Sequence, residues 1–312
     1  MSIAVVIIAT RYQKQPGACL EAVVGQSRPP DEVIVVARSD DARAVGALRR
    51  WYSSCETKIP VRIVAVQAAS LPEMLNAGTR LAVSSLVAFT FNFCIPDGRW
   101  LETLIQGFTD PLTGAVGGPI LTTEDAAVIG ASDAWGSISW LGRRIDHEDR
   151  VPTRPIFVDS LSRFNMAFRR YLLRDFDTRF RADLEREEDM CLAVKSMGFR
   201  VSYDPAARVF EPVTITAARK DLEASASGDA CSHDGVYVFL KHASLPRRLA
   251  FIPYSFLVGD GVYPGMLSLL RRCRRRGKNC RRPAIGRVLR GKASGVASYL
   301  SYLRTRSKPY RY

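Results

Sequence analysis

Residues whose types could do chemistry gather in a few places along the chain. Glu185-Arg186-Glu187-Glu188-Asp189 sets four carboxylates within five positions, just ahead of an apolar stretch. Carboxylates crowded at the head of a helix can take a proton from a hydroxyl, or they can complement the positive end of the helix dipole. Polar side chains also follow apolar runs: Thr10, Arg11 and Tyr12 after the first, Arg38, Asp40 and Asp41 after the second, and Asn92 and Asp97 after a later one. From Arg271 onward there are 15 basic residues and no acidic one, which leaves 30 basic against 31 acidic over the first 270 positions. The excess charge is therefore local. Its natural partner is a polyanion, and an anionic membrane surface contacted through 271–292 is expected. Nucleic acid is the weaker reading, because no helix-turn-helix, zinc finger or aromatic-rich RNA signature accompanies the charge.

Other chemistries find little support. The seven cysteines (Cys19, Cys55, Cys94, Cys191, Cys231, Cys273 and Cys280) are scattered and lack zinc-type spacing, so a reducing cytosol with thiols as core fillers is expected. His147, His233 and His242 are too dispersed to form a motif and are read as surface or packing residues. Met1 runs directly into an apolar segment without a basic leader, so no secretory signal is expected. Leu249 to Leu270 is interrupted by Asp260, three glycines and two prolines, short of the roughly 18 apolar residues of a spanning helix. The expectation is a cytoplasmic protein held peripherally at the inner face of the cell membrane.

The elements that must position these residues alternate. Ile3 to Ala9 is a continuous β-rich apolar run, suited to a strand buried on both faces. A helix over 17–24, a strand over 32–36, a helix from Asp41 to Tyr52 capped by Asp40, and a strand over 61–66 follow. Then come a helix over 71–82, a strand over 86–91 and a helix over 100–108. This β-α-β-α order predicts an open, doubly wound α/β sheet with its ligand loops at 10–15, 37–41 and 92–98, beyond the carboxyl ends of the strands. Further on, the pattern predicts a strand over 115–121 and a helix over 126–141. A charged lid-like loop over 143–155 and a strand pair or bend over 158–168 come next. A helix over 185–197 capped by Gly198 and a strand over 200–203 complete the reading.

Three ordered segments resemble family 2 glycosyltransferases. They are Gln26-Ser27-Arg28-Pro29-Pro30-Asp31-Glu32 with the strand after it; Asn76-Ala77-Gly78 with Val87-Ala88-Phe89-Thr90, Pro96-Asp97 and Trp100-Leu101; and Val158-Asp159-Ser160-Leu161 with Asn165-Met166-Ala167-Phe168, Phe176-Asp177 and Gly198-Phe199-Arg200-Val201. Together they cover about residues 3 to 212. The resemblance implies a GT-A-type mixed sheet flanked by helices over 1–245, with a nucleotide-binding half (1–110) and an acceptor half (111–245), followed by a helical basic tail over 246–312. It implies a nucleotide-diphospho-sugar donor and a glycan or lipid-linked acceptor, in polysaccharide or glycoconjugate synthesis.

The same resemblance assigns roles. Glu187 or Asp189, with Glu188 beside them, stands where the family keeps the general base of an inverting transfer. Thr10, Arg11, Tyr12, Arg38, Asp40, Asp41 and Asn76 fall to the nucleotide, and Asn92, Asp97, Arg163 and Asn165 to the donor and acceptor pocket. Phe91-Asn92-Phe93 stands where the family usually has an Asp-x-Asp motif for Mg or Mn, and Phe210-Glu211-Pro212 where it has a histidine. A metal site of the usual kind is therefore not assigned, and Arg163, Arg143 and Arg144 are the candidate cations for a leaving diphosphate. A catalytically silent relative that binds a nucleotide, glycan or partner, and an adaptor whose tail is the function, are the alternatives.

Overall fold

The computed structural model describes residues 1–10, 17–67, 70–122, 136–142, 144–146, 152–182, 186–212, 228–259, 264–276 and 283–306. Its strands are β1 (Ile3–Ala9), β2 (Glu32–Arg38), β3 (Val61–Val66), β4 (Leu86–Phe91), β5 (Ile95–Pro96), β6 (Thr113–Gly117), β7 (Ile120–Thr122), β8 (Gly136–Ile138), β9 (Arg144–Asp146), β10 (Ile156–Phe157), β11 (Met166–Arg169), β12 (Arg200–Tyr203) and β13 (Val209–Glu211). Its helices are α1 (Gly17–Val24), α2 (Ala42–Ser54), α3 (Leu71–Leu81), α4 (Trp100–Gly107), α5 (Arg186–Ser196), α6 (Gly228–His242), α7 (Leu245–Leu257), α8 (Met266–Arg276) and α9 (Pro283–Arg306).

The chain divides into two units. The first comprises 1–137, 146–176 and 190–221; the second comprises 138–145, 177–189 and 222–312. In this division α6 groups with the basic C-terminal helices.

The first unit is built on an eight-stranded sheet of order β10-β12-β6-β11-β4-β1-β2-β3. All seven residues of β1 are buried, as a central strand hydrogen-bonded on both edges and covered on both faces requires. β1 runs parallel to both β2 and β4, and β2 parallel to β3. The order 3-2-1-4 means that the chain winds outward from β1 to β3 and then returns to the other side of β1. The point where the order reverses lies between β1 and β4. Beyond β4 the sheet becomes mixed, with β11 antiparallel to both β4 and β6. Glu32, at the foot of β2, is buried and accepts the Val83 and Ser84 amides, each at 2.8 Å, and the Arg62 guanidinium.

Sequence and structure differ in places with clear causes. The strand expected over 115–121 is broken by Gly118-Pro119 into β6 of the large sheet and β7 of a three-stranded sheet of order β5-β13-β7. Proline cannot donate to a ladder, so the strand changes sheets there. The helix expected over 126–141 is not formed at 136–138, which is strand β8. Gly, Ser and a β-branched residue favour extended backbone over helix. Of the lid-like loop, Arg144–Asp146 is strand β9, and 143 and 147–151 lie outside the described residues. The strand pair or bend over 158–168 resolves into β10 before it and β11 at its end. Asp41, rather than Asp40, caps α2, accepting the Ala44 amide at 3.1 Å. Gly198 has φ +89° immediately after α5, where a side chain would be strained.

In the second unit the C-terminal helices pack as part of a core. His233 on α6 is fully buried, with Nε2 2.8 Å from the Ser298 hydroxyl on α9 and Nδ1 2.6 Å from Asp234. Asp234 also receives the amides of Arg181 and Ala182. Lys292, counted with the membrane-facing charge of 271–292, is corrected: it is fully buried and donates to the Ser255 carbonyl at 2.5 Å.

Candidate nucleotide site at the ends of β1, β2 and β4

The carboxyl ends of β1, β2 and β4 bring three of the expected positions to one edge of the first unit. Thr10 follows β1, Arg38 ends β2, and Asn92 follows β4. Asn92 is buried, and its amide is turned onto Thr10. Its Oδ1 accepts the Thr10 amide at 3.0 Å and the Thr10 hydroxyl at 3.3 Å, while Nδ2 donates to the Thr10 carbonyl at 3.1 Å. The two loop bases at the reversal of strand order are thereby stitched together. At the end of β2, Arg38 clasps Asp40 through Nε and Nη2, at 3.0 and 2.9 Å. That hydrogen bond, with the adjacent negative charge, holds the exposed guanidinium's pKa above its usual value. Arg11 and Tyr12 lie outside the described residues.

The remaining expected site residues of this unit have local engagements. Asn76 is buried on α3; it donates to the Phe176 carbonyl at 3.0 Å and accepts the Phe176 amide at 2.6 Å. Its amide pins one backbone residue a hundred positions away. Asn165 is fully buried, accepting the Trp100 indole N–H at 2.8 Å and donating to the carbonyls of Pro119 and Ala207 at 3.1 and 2.6 Å. It binds β7, β11, α4 and the turn before β13 together. Asp97 accepts the Arg99 amide at 3.0 Å, turning the chain into α4. Both asparagines, expected at a ligand, serve as joints through these tertiary hydrogen bonds.

The Phe91-Asn92-Phe93 segment is closed by aromatic packing. Phe164 stacks edge-on against Phe91 and Phe93, with centroids 4.8 and 5.5 Å apart, and all three rings are buried. The Arg163 guanidinium lies 5.6 Å from the Phe164 centroid, so a cation borders this aromatic cluster. Of the other candidate clamp residues, Arg143 and the side chain of Arg144 lie outside the described residues.

The acidic run is best described through the second unit, to which Asp189 belongs. Asp189 is buried, with Oδ2 2.8 Å from the Lys241 ammonium and Oδ1 2.7 Å from His242 Nε2. The same ammonium donates to Asp177 at 2.9 Å, so Lys241 bridges two carboxylates, and Tyr237 adds a hydroxyl to Asp177 at 2.6 Å. Burial pushes the Asp177 carboxyl up, but Lys241, the Tyr237 hydroxyl and the Arg179 amide outweigh it and bring its pKa down to about 2. Burial pushes Lys241 down, and its two carboxylates more than reverse that, leaving it above its usual value. A carboxylate held this way is anionic and fixed in orientation. Glu188 is buried, and the side chain of Glu187 lies outside the described residues. Sequence reading left His242, Lys241 and Tyr237 without roles. They sit about 50 positions from Asp189, and only their clustering near the end of α6 marked them.

No protein-family model matches this chain, and no curated protein matches it. Solved structures do. The mannosyltransferase PcManGT from Pyrobaculum calidifontis, solved with GDP-Man and Mn2+, superposes with a TM-score of 0.56 at 19% identity, over 97% of this chain and 79% of that one. The fold is of the GT-A type. GalNAc-T7, solved with UDP, GalNAc and Mn2+, superposes at a TM-score of 0.52 and 12% identity, over 68% of this chain and 43% of that one.

Within a GT-A fold, the segment after β4 is where the resemblance placed a metal-holding Asp-x-Asp. The residues present do not fit one. Two of the three are packed phenylalanines, and the third is an asparagine whose oxygen already accepts two hydrogen bonds. A hard divalent cation needs several oxygen ligands, and this segment presents none in the open. Among the described residues no group of three or more His, Cys, Asp or Glu side chains could hold a metal ion.

Proposed function

We propose that this chain is a glycosyltransferase that moves a sugar from a nucleotide-diphosphate donor to a glycan or lipid-linked acceptor, with inversion, in the cytoplasm at the inner face of the membrane. The observation that carries the reading is the reversal of strand order between β1 and β4, with Thr10, Arg38 and Asn92 at the strand ends. Open α/β sheets bind nucleotides at such a point. The nucleotide complexes named for the two structural neighbours, GDP-Man for one and UDP with GalNAc for the other, agree with it.

In this reading the loops after β1 and β2 take base and ribose, and Asn92 holds the first loop in place. Arg163 supplies positive charge to the leaving diphosphate, as a guanidinium can without a metal ion. Glu187 or Asp189 takes the acceptor hydroxyl proton as the anomeric carbon is attacked. Placement in polysaccharide or glycoconjugate synthesis follows from the acceptor class.

A second reading is favoured by the packed Phe91-Asn92-Phe93 segment: a silent GT-A relative that binds a nucleotide, glycan or partner enzyme without turnover. Calorimetric titration with UDP, GDP, CDP and dTDP, with and without Mn2+, tests the donor site, and turnover of the sugar nucleotide that binds separates the two. Metal-independent binding of one nucleotide supports the transferase with a cationic clamp. Binding of none under either condition sinks it in favour of the silent relative.

A further inference from the structure

The second unit exposes large apolar side chains in an ordered way. On α7, Leu245, Leu249 and Ile252 recur at spacings of four and three, which places them on one helical stripe. Leu245 and Leu249 are each 64% exposed. Trp140 is 56% exposed. Its turn is fixed to the same helix by Arg247, which donates to the carbonyls of Trp140 and Ser139 at 3.0 and 3.1 Å. After α7 the chain reverses: Gly259 has φ +63°, and the Gly265 amide donates to the Val258 carbonyl at 2.9 Å. The corner so made launches α8, where Leu267 and Leu270 are again exposed.

Side chains of this size, fixed on helices and on a pinned turn, are expected to be covered by something. Neither α7 nor α8 contains an acidic residue, whereas Arg247, Arg248 and the run from Arg271 to Arg276 are basic. Apolar residues on two helices whose own charges are all cationic complement a surface that is negative outside and apolar beneath. No helix among the described residues is long and apolar enough to cross a membrane.

We infer that α7 and the start of α8, with Trp140 beside them, form a monotopic surface that inserts into an anionic lipid leaflet. The leucine stripe enters the acyl boundary, Trp140 lies at headgroup depth as amphipathic rings do, and the basic run from Arg271 meets lipid phosphates. This deepens the membrane location proposed above and does not depend on sugar transfer.

The test is flotation of the full chain with phosphatidylcholine vesicles, with and without about a third phosphatidylglycerol, at low and high salt. The expected result is flotation with anionic vesicles that persists in part at high salt, with a blue shift of tryptophan emission. Leu249→Glu with Leu267→Glu should weaken partition at least about tenfold, because each removes a leucine's worth of apolar burial. Both positions are exposed, so an unchanged thermal midpoint is the fold control, and Leu249→Ser with Leu267→Ser is the milder pair. Absence of flotation overturns the inference. So does flotation that the leucine variants leave intact and salt or competing RNA abolishes, because the arginines alone would then be acting on any polyanion. Loss of flotation with nucleotide binding preserved would remove the membrane surface and leave the transferase reading standing.

Discussion

Asn92 and Thr10, 82 residues apart, share three hydrogen bonds: the asparagine oxygen accepts the threonine amide and hydroxyl, and its nitrogen returns one to the threonine carbonyl. The base of the first loop is therefore set by the residue that stands in the middle of the expected metal motif. Asn92→Ala leaves the Thr10 amide and carbonyl without these partners, at a cost of about 1–3 kcal/mol for buried polar groups. Urea unfolding should show that loss, and nucleotide affinity should fall with it. Unchanged stability would mean that the loop base is held by other contacts.

Asn165 joins the Trp100 indole to the carbonyls of Pro119 and Ala207. Replacement by leucine, similar in volume, orphans the Trp100 indole donor and the Ala207 carbonyl, leaves the Pro119 carbonyl only the Val209 amide, and should cost about 3 kcal/mol. Chemical denaturation followed by tryptophan fluorescence reads it. A variant of normal stability with weakened acceptor binding would instead return Asn165 to the substrate pocket.

Acid sensitivity should centre on Asp177. A carboxyl with a folded pKa near 2 and an unfolded value of about 3.9 stabilises the fold above the unfolded value, by about 2 kcal/mol, and loses that contribution as pH falls toward 2. Asp177→Asn should therefore lower the thermal midpoint at pH 6 and flatten its decline between about pH 4 and pH 2. Lys241→Met removes the cation shared by Asp177 and Asp189, leaves Arg179 on the first and His242 on the second, and should cost about 1–3 kcal/mol near neutrality.

Close packing of α3 on the sheet rests on Gly78. A Cβ there would run into the Val6 side chain and press on Val36 at 3.3 Å. Gly78→Ala should destabilise the first unit by about 1–3 kcal/mol through overpacking despite its better helix propensity. Gly286, where an added Cβ meets nothing within 4 Å, is the matched control on α9 and should be neutral or mildly stabilised.

The base assignment is decided by two variants. Glu187→Gln and Asp189→Asn should be made separately, and loss of about a hundred- to ten-thousand-fold in kcat is expected in one of them, with donor binding retained. Because Asp189 is held by His242 and Lys241, its variant also needs a stability check. Full activity in both would dismiss the acidic run as the source of the base.

What this sequence determined by itself was the order and bounds of several elements: β1, α1, β3, β4 and β12 fall where apolar runs and helix periodicity put them. Buried parallel strands are near-continuous β-branched runs, so their signal is local and strong. Breaks such as that between β6 and β7 were legible only in hindsight, because Pro119 marks an interruption without saying which sheet the next strand joins. Side-chain roles depended on tertiary structure. The amide of an asparagine is chemically the same whether it meets a ligand or a distant backbone, and only folding showed that Asn76, Asn92 and Asn165 reach Phe176, Thr10 and Trp100. The tail shows the same limit for charge. Composition counted Lys292 among 15 basic residues, yet helix packing buries it on the Ser255 carbonyl. Composition registers a charge, whereas the distance and burial that decide its partner exist only once the chain has closed on itself.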